Sequence, residues 1–206
     1  MRALVLVDLQ YDFMPGGALG VTQGDQVVPI ANRLQEFFDL VLATQDWHPP
    51  DHSSFARNHP GHHVGEVIDI DGIAQVLWPP HCVQNTGGAG LVSNLVTSGI
   101  RRTFFKGTNA AIDSYSAFFD NGHRQSTGLG DYLNQMGVDA VYLMGLATDY
   151  CVKYSVLDAR GLGFQTTVIQ DGCRAVELRA GDETKAIEEM QRSGAQFQTS
   201  QEVCEP

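Results

Sequence analysis

The feature that most limits this chain is a series of short, unbroken apolar runs set between segments of helical periodicity. "ALVLVD" (3–8), "DLVLATQD" (39–46), "TFFKG" (103–107), "DAVYLMGL" (139–146), "FQTTVIQD" (164–171) and "AQFQTS" (195–200) read as strands. A run without alternation is buried on both faces, the signature of a parallel sheet covered by helices. From Asp25, the residues Val27, Ile30, Ala31, Leu34, Phe37 and Phe38 keep helical spacing, with Pro29 in the first turn, where proline is tolerated. Helical spacing returns at Val152, Ser155, Val156 and Ala159, and again at Ala186, Ile187 and Met190. Strands alternating with helices predict βαβ units, a mostly parallel sheet and an α/β fold with helices on both faces.

At 206 residues the chain is long enough for one such domain, expected to span 1–206. A hydrophobic content of 43% supports a large core, and a net charge of −11 argues against nucleic acid or an anionic membrane as partner. Four cysteines at 82, 151, 173 and 204 form neither a C-x-x-C pair nor a disulfide-like spacing, which points to a reducing, cytoplasmic setting. "MRALVLVDLQ" carries only five apolar residues in a row before Asp8, too few for the core of a secretory signal. No apolar stretch approaches the length of a membrane span. A homo-oligomer is compatible with the sequence.

Two segments fall outside the alternation: 45–90 and 107–127. Long loops in a compact domain are usually functional, and ligands of open α/β sheets bind at the carboxyl ends of the strands. At those ends stand Asp8, Asp46 and Lys106, and the central strand leads through "GLATD" to Cys151. Asp8 is a candidate base if burial raises its pKa or the proton moves in concert. Lys106 is a candidate counter-charge, and Cys151 a candidate nucleophile at a helix start, where N–H groups favour the thiolate. The plain alternative is a buried cysteine and a turn-capping aspartate.

A second constellation is "DWH" (46–48) with His81 in "WPPHC". Six of the seven histidines lie between 48 and 81. In an extended segment, residues i and i+2 face the same way, so Asp46 and His48 can share one ion, with zinc, iron or manganese as the fitting metals. His59, His62, His63 and His123 read as solvated loop residues. His52 is open between ligand, supporting partner and loop residue. Trp47 and Trp78 read either as a small satellite core or as an aromatic wall for a flat ligand. Neither "GGAG" (87–90) nor "GLG" (128–130) is a dinucleotide fingerprint, and Asp120, Asn121 and Gly122 read as a turn.

Taken together, "LVLVDLQYDFMPGGAL", "ATQDWHPPDHSSF", "WPPHCVQNTGGA", "FFKGTNAAIDSYSAFFDN" and "MGLATDYCVKYSVLDA" resemble the nicotinamidases of the isochorismatase-like hydrolase superfamily. The resemblance implies a six-stranded parallel sheet with a metal-binding loop region at about 45–90. It implies hydrolysis of the amide C–N bond of nicotinamide, to nicotinate and ammonia, within NAD salvage, with pyrazinamide as a further substrate. By motif, it assigns catalysis to Asp8, Lys106 and Cys151, and a divalent metal, zinc foremost, to Asp46, His48 and His81. It places Phe13, Trp78 and Tyr115 around the pyridine ring. It implies a cis peptide at Leu146–Ala147 and an oxyanion hole from the N–H groups of Ala147 and Cys151. The competing readings are an amidase for another small amide or carbamoyl compound and a catalytically silent protein that binds a metal or small molecule. An isochorismatase proper is disfavoured by Cys151, and a thiol redox protein by the lack of a neighbouring resolving cysteine.

Overall fold

A computed structural model describes residues 1–205. Its main sheet holds strands β1 (Arg2–Val7) and β2 (Leu40–Asp46), and, after a separate hairpin of β3 (Val67–Ile70) and β4 (Ile73–Val76), strands β5 (Ile100–Lys106), β6 (Ala140–Leu146), β7 (Gln165–Arg174) and β8 (Gln196–Gln198). The order is β5-β2-β1-β6-β7-β8 and every pairing in it is parallel. Ala3–Val7 and all of β2 are buried, although successive residues point to opposite faces. Both faces of the central strands are therefore covered, as the unbroken apolar runs require.

The helices are α1 (Val27–Leu34), α2 (Leu129–Gln135), α3 (Lys153–Gly161), α4 (Asp182–Arg192) and α5 (Ser200–Cys204). α1, beside α5, and α3, beside α4, pack on β6 and β7. One continuous core joins the sheet to these helices, from Leu4 and Leu6 through Leu143 to Val156 and Met190. Among the described residues, no helix is long and apolar enough to cross a membrane.

Three elements depart from the expected map. The β3–β4 hairpin lies inside the segment expected to be loop; it turns at Asp71 (φ 52) and Gly72 (φ 81), both left-handed. Asp-Gly between alternating apolar residues is a strong hairpin signal, and "VIDIDGIAQV" carries it. α2 follows Gly128, whose φ of 86 lets the chain turn into the helix. The last strand is shorter than expected, because Thr199 caps α5: its hydroxyl accepts from the Glu202 N–H while the Glu202 carboxylate accepts from Thr199.

Strand register builds the carboxyl edge. Asp46 and Lys106 are direct partners across β2 and β5, and Val7 opposes Gly145 across β1 and β6. Asp8 and the turn to Cys151 thus leave the sheet side by side, next to Asp46 and Lys106.

Candidate active site

Lys106 is the hub. Its ammonium, fully buried, lies 2.9 Å from Asp8 Oδ2, donates to Asp46 Oδ1 and to the Ser114 carbonyl (2.9 Å), and stands 3.4 Å from Cys151 Sγ. Burial pushes its pKa down, but the carboxylates of Asp46 and Asp8 outweigh burial and raise it well above the usual lysine value. It is a fixed positive charge.

Asp8 enters this hub in a left-handed conformation (φ 53). The Thr44 hydroxyl accepts from the Asp8 N–H (3.2 Å) and donates to Asp8 Oδ1 (2.6 Å). Oδ2 faces the Lys106 ammonium at 2.9 Å and carries no other polar partner. A carboxylate oxygen of Asp8 and Cys151 Sγ lie within 4.8 Å of each other. Burial raises the Asp8 pKa against the opposing pull of Lys106. This is the direction a base needs.

Cys151 follows β6 through a single wide helical turn, Thr148–Val152, that runs into α3. At Cys151, burial and the Lys106 charge oppose each other. Burial pushes the Cys151 thiol well above its ordinary pKa, more strongly than Lys106 pulls it down. The resting group is a thiol, and the helix start alone does not ionise it. The loops that bury the site set this sign, and strand and helix spacing do not report them. The Leu146–Ala147 peptide is cis, as the resemblance implies.

Asp46 turns its other oxygen toward two imidazoles: Oδ2 lies 3.5 Å from His48 Nε2 and 3.8 Å from His81 Nε2. Each ring has its far nitrogen on a carbonyl, His48 Nδ1 on Gly107 O (3.0 Å) and His81 Nδ1 on Pro79 O (2.8 Å). A carbonyl only accepts, so Nδ1 carries the proton and Nε2 presents a lone pair. His48 Nε2 is buried and lacks a hydrogen-bond partner. Two neutral imidazole lone pairs and a carboxylate converging on one point fit a divalent metal. Asp46 suits it: burial raises its pKa, but Lys106 and then His48 prevail and hold it well below the usual range. For His48, burial lowers the pKa and the Asp46 carboxylate outweighs it, so the ring is a stronger base than usual.

His52 meets Ser54 rather than a carbonyl. Its Nδ1 lies 2.7 Å from the Ser54 hydroxyl and accepts from the Ser54 N–H (3.3 Å), and its Nε2 is buried without a hydrogen-bond partner. It packs on His48, ring centres 4.3 Å apart. His62 and His123 make carboxylate contacts with Glu66 and Asp158 from exposed positions.

Phe13, Trp78 and Tyr115 line one cleft with Asp46, His81 and Cys151, and Ala147 stands in the same wall. Trp78 Nε1 donates to the Tyr115 hydroxyl (3.1 Å). Trp47 does not join them; it packs on Phe105, ring centres 4.9 Å apart. Sequence reasoning missed several contributors. Leu19, Asp113, Tyr150 and Val176 also line the cleft. Asp149 holds Val176 in place by accepting from the N–H groups of Val176 (3.0 Å) and Glu177 (2.8 Å). Gln10 clamps Asp46, accepting from its N–H and donating to its carbonyl, both at 2.8 Å. Asp149 and Gln10 sit beside the motif residues in sequence, and that adjacency was the available signal.

Fold and site define a parallel α/β protein with a buried cysteine, a lysine and two aspartates at its sheet edge, one of which, Asp46, forms with His48 and His81 a group able to hold a metal. The chain belongs to the isochorismatase-domain family, whose pattern it matches over residues 2–202. It is 50% identical over 202 residues to the nicotinamidase of Escherichia coli (strain K12), covering 96% of this chain and 94% of that one. Among solved structures it resembles the Acinetobacter baumanii nicotinamidase–pyrazinamidase (44% identity, TM-score 0.96, 98% and 97% of the two chains). It also resembles the Pyrococcus horikoshii pyrazinamidase crystallised with zinc (36% identity, TM-score 0.77, 96% and 98%).

Proposed function

We propose that this chain is a nicotinamidase: a metal-assisted cysteine amidohydrolase that converts nicotinamide and water to nicotinate and ammonia in NAD salvage, and that also deamidates pyrazinamide. The observation that carries the reading is the joint opening of Cys151, Asp46 and His81 into one aromatic cleft. A flat ring held there sets its amide beside the thiol. The relatives named above, nicotinamidases and a pyrazinamidase, support the substrate class. The family match over 2–202 supports reading the chain as one domain.

Asp46, His48 and His81 would hold one zinc ion. When bound, it would supply a Lewis-acidic point for the pyridine nitrogen and so orient the substrate. Phe13, Trp78 and Tyr115 confine the ring, which converts a loose encounter into an aligned one. Because Cys151 rests as a thiol, its proton passes to Asp8 Oδ2 as sulfur attacks the amide carbon. Lys106 stabilises the forming thiolate from 3.4 Å. The N–H groups of Ala147 and Cys151 receive the oxyanion. Protonated Asp8 returns the proton to the departing ammonia, and the Cys151 thioester remains. Asp8 then takes a proton from water as the water oxygen adds to the thioester carbonyl; the C–S bond breaks to release nicotinate, and Asp8 returns the proton to the Cys151 sulfur.

The test is ammonia release from nicotinamide by the purified protein, beside a chelated sample. Release that disappears on chelation and returns with zinc is expected. No release from the metal-loaded protein would refute the assignment and favour another small amide.

A further inference from the structure

We propose that Asp113 is the outer counter-charge of the cation group formed by Asp46, His48 and His81, and that it sets how tightly a divalent ion is held. The inference rests on the metal-centre reading above. Asp113 lies in the 107–127 segment, is 3% exposed and lines the same cleft as Asp46 and His81. One oxygen accepts from the Ser114 N–H (2.8 Å) and the other from Gln75 Nε2 (3.1 Å). Both donors are neutral. Among the described residues, no lysine, arginine or histidine nitrogen lies within 4.0 Å of it. A buried carboxylate without a cationic partner is costly and calls for positive charge nearby.

The charge inventory says how much. Asp8, Asp46 and Asp113 bring three negative charges, and Lys106 returns one. With His48 and His81 neutral, as ligation requires, two negative charges remain, and one divalent ion balances them.

Asp113 does not act as a ligand of a second ion. A ligand atom of Asp113 stands within 4.8 Å of ring nitrogens of His48 and His52. His48 belongs to both groups, however, and its unprotonated nitrogen lies 3.5 Å from Asp46. Asp113 therefore works through its charge, and the β3–β4 hairpin holds it there through Gln75.

The test is zinc affinity of the full-length protein, by competition with a chromophoric chelator at neutral pH. Asp113→Asn removes the charge and keeps the shape, and Asp113→Ser is a second neutral variant. Gln75→Met removes the same hydrogen bond and leaves the charge. The neutral variants are expected to bind zinc about 10- to 100-fold more weakly, with Gln75→Met close to the parent. Parent-like affinity in the neutral variants would overturn the role of Asp113 and leave the metal centre standing. Equal weakening in all three would assign the effect to packing and overturn it as well. A parent protein that binds no zinc would bring down the metal centre and this inference together.

Discussion

Replacing Lys106 by methionine removes the one positive charge that two buried carboxylates share. Asp8 Oδ2 sits 2.9 Å from the ammonium, Asp46 accepts from it, and the Ser114 carbonyl at 2.9 Å loses its donor. Methionine matches the length of the stem, so little volume is lost. Breaking a buried ion pair from one side costs about 3–5 kcal/mol, because the abandoned charge stays in a poor solvent. The cost depends on pH in a definite sense. Lys106 holds the Asp46 carboxyl well below its usual range. A depressed carboxyl contributes stability above its unfolded pKa and loses it as pH falls through the folded value. The methionine variant lacks that contribution. Its deficit is therefore largest near neutral pH and shrinks in acid, as its carboxyls protonate. Urea unfolding of chelated parent and variant at pH 7 and pH 5, followed by tryptophan fluorescence, reads both quantities. Adding Asp46→Asn to the variant should recover part of the loss, since the two side chains are coupled. A deficit below about 1 kcal/mol at both pH values, the range of an exposed pair, would refute the buried counter-charge.

Thr44→Val removes the hydroxyl that donates to Asp8 Oδ1 and holds the Asp8 pKa down, so the acid limb of kcat/KM should move to higher pH; an unmoved limb would exclude Asp8 as the titrating base. Gly107→Ala places a Cβ on the His48 ring at a φ of 62, so zinc affinity should fall and stability drop by about 1–2 kcal/mol; unchanged zinc binding by competition titration would mean His48 is not a ligand. Acid quenching during turnover, followed by peptide mass mapping, should find a nicotinoyl group on the Cys151 peptide, and an adduct on another cysteine would move the nucleophile.

The sheet was legible because parallel strands are buried on both faces. "ALVLVD" and "DAVYLMGL" could hardly be anything else, and with them came the placement of Asp8, Asp46 and Lys106 at one edge. The paired geometry of Asp46 and His48 followed from strand alternation alone. The β3–β4 hairpin was just as visible, in Asp71 and Gly72, but the unusual length of the segment drew attention from its turn. Gln75 and Asp113 were not legible. A polar residue in a loop looks the same whether it faces water or lies under a hairpin, and only tertiary packing decides. At Cys151, local helix-terminus electrostatics point one way, and burial by distant loops points the other and prevails.

The central claim is that Cys151 carries the reaction as a nucleophile. Turnover of nicotinamide by the Cys151→Ala protein, folded and zinc-loaded, tests it most directly. The account predicts no nicotinate above the uncatalysed background. Turnover comparable to the parent would contradict the covalent scheme and leave the thiol as a packed core residue.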